Sequence, residues 1–138
     1  MKFLKKEDFN VVCDSNTLQV IHQQDDANLD KAEAFAIEEV GSYIRSRYDL
    51  NKAIASAERN EQLVMILCDI ALYHLIAWLP KRIGFEIRET RYNRAITWLK
   101  DVAKGAASPD LPVKTNEKGE DAGTPVRYGS WDKNKYDY

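Results

Sequence analysis

Residues that usually carry chemistry are scarce in this chain. Its 138 residues include two histidines, His22 and His74, and two cysteines, Cys13 and Cys68. Neither pair lies near carboxylates at metal-ligand spacing, so no metal site is expected. The cysteines form no CxxC and no disulfide framework, which points to synthesis in a reducing cytoplasm. No GxGxxG, P-loop or GxSxG occurs, so no cofactor is expected. Asp25 and Asp26 adjoin, but without the alternating oxygen ligands and closing glutamate of a calcium loop. Nothing assembles a nucleophile, a base and an oxyanion donor, and the chain reads as a non-enzyme with no catalytic residues. Surplus positive charge is missing too: a net charge of −2 and a pI of about 5.7 give no general affinity for nucleic acid. The N-terminus "MKFLKKEDFNVV" lacks the apolar run of a signal peptide.

A full-length membrane span is also absent. The most apolar stretch, "LVMILCDIALYHLIAWLP", runs from Leu63 to Pro80 and contains Asp69 and His74. A span needs about 20 apolar residues and tolerates a central charge poorly. The stretch is therefore expected to be a core helix, buried on nearly all sides. No membrane association is expected.

What is present is helical periodicity followed by a tail. "DFNVV" and "SNTLQVIHQQ" suggest two short N-terminal helices, with Asp14 or Ser15 capping the second. From Leu29 to Tyr48, residues Leu29, Ala32, Ala36, Val40, Tyr43, Ile44 and Arg47 share one face at helical spacing. "DLN" interrupts the pattern, and "KAIASAERN" reads as a polar connection. The apolar helix starts near Glu61 and stops at Pro80. A third long helix spans about Glu86 to Lys104, with Tyr92, Ala95, Ile96, Leu99, Val102 and Ala103 inward and Gly105 as its C′ residue. Beyond it lie three of the four prolines and four of the six glycines, with no period. The expected architecture is all-α: a small bundle of three long helices plus short N-terminal helices. Residues 1–105 form the domain, and residues 106–138 form an extended, Pro/Gly-rich arm with an aromatic end.

Asp69 needs a cation or a raised pKa if it is buried. On the helical wheel Arg47 lies on the apolar face, in line with Val40 and Tyr43, while Arg45 points away. An Arg47–Asp69 pair locking two long helices is the expectation, with a catalytic Asp69 in a pocket as the competing reading. On the third helix, Arg91, Arg94 and Trp98 gather along one flank. Arginine and tryptophan beside a core are the residue types that most often dominate protein interfaces. In the arm, Tyr128, Trp131, Tyr136 and Tyr138 offer four large aromatics to a partner.

Three stretches carry a resemblance: "EEVGSYIRSRYDL" (Glu38–Leu50), "LCDIALYHLIAW" (Leu67–Trp78) and "RYNRAITWLKDVAKGAASPDL" (Arg91–Leu111). An Arg-Tyr-x-Leu turn, a Cys/Ala-Asp-Ile-Ala-x-Tyr helix and a Tyr-x-x-Ala-x-x-Trp-Leu helix closing at Val-Ala-x-Gly follow in that order. They resemble the small helical virion proteins of tailed phages and Mu-like prophages, known as head–tail connector, adaptor or head-completion proteins. Asn51 stands where that family often has proline, and the aromatic tail beyond Leu111 is longer than the resemblance leads one to expect. The resemblance implies a ring of twelve copies below the portal, at the head–tail junction of the virion. Its implied partners are other copies of itself, the portal protein and tail or further neck proteins. DNA would pass through without sequence-specific binding. A helical DNA-binding regulator of helix-turn-helix type is the alternative, with "RETRYNRAITWLK" as its only candidate recognition helix.

Overall fold

The computed structural model describes residues 1–13, 17–18, 25–77 and 85–115. Five helices lie among them: α1 (Lys6–Phe9), α2 (Asp26–Ile44), α3 (Leu50–Ala55), α4 (Glu61–Ala77) and α5 (Phe85–Lys104). No strand forms among these residues, only an isolated antiparallel bridge between Tyr48 and Val113. The all-α bundle expected from periodicity is the fold observed. The second short N-terminal helix falls largely outside the described residues.

Side-chain acceptors set where the helices start. Asp25 accepts from the Ala27 N–H at 2.9 Å to open α2, and Asp49 accepts from the Lys52 N–H at 3.0 Å to open α3. Asn60 does the same for α4, taking the Leu63 N–H at 2.8 Å. Each satisfies a donor that the first helical turn would leave orphaned. Helix α5 stops at Gly105, whose φ of 86° places it in the left-handed region. The Gly105 N–H reaches Val102 O at 3.1 Å and the Ala106 N–H reaches Asp101 O at 2.8 Å, the paired bonds of a Schellman motif. Helix α3 was missed in the sequence, because the break signal at "DLN" is in fact its capping turn. Its Leu50 and Ala53, three residues apart, are both buried.

Helix α4 is the centre of the bundle, packed against α1, α2 and α5, while α2 also meets α5. Leu63, Leu67, Cys68, Ile70, Ala71, Leu72, Leu75 and Ile76 are wholly buried on it. That explains the nearly continuous apolar run. No helix among the described residues is long and apolar enough to cross a membrane. The inner face of α2 is Leu29, Ala32, Ala36, Val40 and Ile44, and that of α5 is Ala95, Leu99 and Val102. Truncating one such leucine to alanine removes about 2–5 kcal/mol, so this three-helix contact supplies much of the stability.

Two segments without regular structure are held down by specific bonds. At the N-terminal end, the buried Glu33 carboxylate on α2 accepts the backbone N–H groups of Lys2, Phe3 and Leu4 at 2.8, 3.0 and 2.6 Å. Arg59 clamps the same end through a two-pronged contact with Asp8 at 2.6 and 3.0 Å. After α5, residues 106–115 lie on the domain, although composition had placed them in an extended arm. Leu111 enters the core, the Asp49 N–H donates to Pro112 O at 2.8 Å, and the Lys114 N–H donates to Arg47 O at 2.8 Å. One buried leucine and a few backbone pairs suffice to strap this segment down.

Candidate docking groove between helices α4 and α5

Asp69 sits at the third turn of α4, on the side facing α5. Its carboxylate meets Arg91, with Nε donating to Oδ1 at 2.7 Å and Nη2 to Oδ2 at 3.2 Å. The expected Arg47–Asp69 pair is therefore replaced by Arg91–Asp69. Helix α2 ends at Ile44, so the wheel that placed Arg47 beside the apolar face no longer applies at that residue. Arg47 instead lies against the C-terminal end of α5: a Cβ added at Gly105 would stand 2.9 Å from Arg47 Nη1. A cation there complements the negative end of the helix dipole.

The pair is unevenly buried. The Asp69 side chain is 6% exposed and that of Arg91 is 26% exposed. Burial pushes the Asp69 carboxyl above its ordinary value, and Arg91, Arg88 and Arg94 pull it only partly back. Three guanidinium groups of α5 thus act on one carboxylate. Arg94 is exposed and makes no ion pair or hydrogen bond among the described residues. Arg88 is 7% exposed; its Nη2 donates to Val12 O at 3.1 Å, and its Nη1 has no hydrogen-bond partner among the described residues.

Beside the pair opens a hollow of about 230 Å³, walled by Gln62, Met65, Ile66 and Asp69 on α4 and by Arg91, Arg94, Ala95 and Trp98 on α5. The flank that the sequence picked out, Arg91, Arg94 and Trp98, is thus gathered on one groove. Arg91 is turned inward onto Asp69, Trp98 is half-buried, and Arg94 is exposed. Met65, 42% exposed, forms the opposite lip. The result is a largely apolar slot with the exposed Arg94 side chain at its edge.

The other face of α5 carries a polar cluster that sequence reasoning did not find. Glu39 of α2 accepts a short hydrogen bond from the Tyr92 hydroxyl and meets His74 Nε2 at 2.9 Å. Tyr73 stacks on Tyr92 with ring centres 4.0 Å apart, and Phe35 stands edge-on to His74 at 5.8 Å. Burial, then the neighbouring Glu39, raises the Tyr92 hydroxyl well above its usual range. The cluster ties α2, α4 and α5 together. The sequence signal was Phe35 and Glu39, one helical turn apart on α2, opposite the His74 and Tyr73 pair. Cys68 is wholly buried, and burial pushes its thiol up, which favours the protonated form. No group of three or more His, Cys, Asp or Glu side chains among the described residues could hold a metal ion.

The family model of bacteriophage Mu Gp36 matches residues 2–127. The chain belongs to the bacteriophage Mu Gp36 family. The match takes in all five helices, the groove and the strap of residues 106–115, and runs beyond Leu111, where the motif resemblance stopped. Tyr128, Trp131, Tyr136 and Tyr138 lie past the part matched to the Gp36 family and outside the described residues. No curated protein and no solved structure matches the chain.

Proposed function

We propose that this protein is a head–tail connector: twelve copies form a ring below the portal, extend the DNA channel and give the tail a surface to dock on. It acts by geometry, without catalysis and without a cofactor. The portal protein and a tail or further neck protein are its partners. Membership of the bacteriophage Mu Gp36 family over residues 2–127 carries this reading. The groove supports it, because a ring is built from head-to-tail contacts in which two different faces of each copy meet. An apolar slot edged by Trp98 and Arg94 has the composition of one such face. A mildly acidic chain also suits a channel wall that must not grip DNA phosphates.

A purified chain with Trp98→Ala tests the assembly part. It should keep its helical content and lose ring formation on portal; normal assembly would assign Trp98 to sealing the bundle edge. A helix-turn-helix regulator would instead shift duplex DNA at moderate salt as a dimer, which a connector does not do. The buried Ala95 and Leu99 on "RETRYNRAITWLK" support the connector, because they commit that helix to the core.

A further inference from the structure

The groove and the aromatic end of the chain are chemically matched. The groove offers an apolar wall from Met65, Ile66 and Trp98, with Arg94 exposed at its rim. Arg91 lines the same hollow and is paired with Asp69, the single carboxylate of its lining. Such a surface selects a segment that brings an acid between large apolar groups. The chain contains one: Tyr136-Asp137-Tyr138, preceded by Trp131 and Asp132. An aromatic ring on either side of a carboxylate can fill the slot while the acid meets Arg94.

We propose that the α4–α5 groove of each copy receives the Tyr136-Asp137-Tyr138 segment of a neighbouring copy, with Asp137 pairing to Arg94 and the two tyrosines packing on Met65 and Trp98. This rests on the ring reading and names the two faces that meet. The segment has the reach for it: the 21 residue steps from Thr115 to Tyr136 span roughly 70 Å when extended, at about 3.3 Å per step. A head-to-tail ring needs an acceptor and a donor on each subunit, and this chain would carry both.

The test is a titration of a dye-labelled peptide of residues 126–138 into the full chain at dilute concentration, read by fluorescence anisotropy. Saturable binding is expected, weakened about tenfold or more by Arg94→Glu in the protein and to a similar extent by Asp137→Lys in the peptide. Combining the two reversed charges should recover a good part of the affinity. Arg94 is exposed, so its substitution leaves the fold intact. No saturable binding, or binding indifferent to Arg94→Glu, overturns the proposal. Binding that emerges only when Asp137→Lys is placed in the full chain also overturns it, because the groove is then closed by the chain's own tail. The titration needs neither portal nor ring, so it fails or holds separately from the connector reading.

Discussion

Asp69 and Arg91 meet in a two-pronged ion pair across α4 and α5, at 2.7 and 3.2 Å, with the carboxylate buried and the guanidinium at the groove wall. The pair fixes the height at which α5 lies along α4. It adds less stability than its geometry suggests, because desolvation offsets much of the attraction. Its value is registry: Arg94 and Trp98, one and two turns further along α5, are placed at the groove edge by it.

Removing one partner should be costly, and the burial asymmetry says which. Arg91→Met leaves a buried carboxylate alone and should lose about 3–5 kcal/mol. Asp69→Asn leaves a cation that can turn to water, and should lose less. In the double mutant the losses should be far from additive, whereas Asp69→Asn and Arg47→Met should add. Thermal or urea melting of the set measures this; strictly additive losses for Asp69 and Arg91 contradict the pair.

Asp69 and Asp8 should respond to acid with opposite signs. Burial works against the Asp8 carboxylate, but the Arg59 contact and the Lys5 N–H outweigh it and hold the value below normal. Its stability is present above the ordinary carboxylate pKa, near 3.9, and is lost as pH falls through the lowered folded value. The raised Asp69 value does the reverse: stability is gained as pH falls through it toward the ordinary value. Melting from neutral pH downward should show the wild type gaining on Asp69→Asn first. Below the ordinary value it should lose its advantage over Asp8→Asn. Parallel pH profiles for all three proteins contradict both assignments.

Glu33→Ala should free the N-terminal segment. Three backbone N–H groups lose their acceptor, and each one left buried without a partner costs about 1–3 kcal/mol. Glu33→Gln should be milder, since an amide retains one acceptor oxygen. Hydrogen exchange at Phe3 and Leu4 reads this directly: it should rise in both variants, and more in Glu33→Ala.

Gly105→Ala should lose about 1–2 kcal/mol, because an L side chain is strained at a φ of 86°. The added methyl also displaces the Arg47 guanidinium, whose long side chain can yield. An unchanged melting temperature contradicts the Schellman termination of α5.

Much of this fold was legible in the sequence, and the failures have specific causes. The apolar run of α4, the inward stripe of α5 and the glycine that ends it follow from period and turn chemistry, which are local. The partner of Asp69 is not local: a wheel shows which residues face inward, but not which neighbour lies at the same height. Arg91 was assigned to an outer flank, and its three-carbon stem lets it turn inward to Asp69. Glu33 gave no signal because its partners are backbone amides. The strap of residues 106–115 was hidden because a single leucine, Leu111, anchors it.

Position in the virion decides whether this chain is a connector. Electron cryomicroscopy of purified particles of the phage that encodes this chain measures it directly. A twelve-fold helical ring between portal and tail, into which residues 1–115 fit, is the predicted result. Absence of the chain from the particle, or density elsewhere in the virion, contradicts the connector reading.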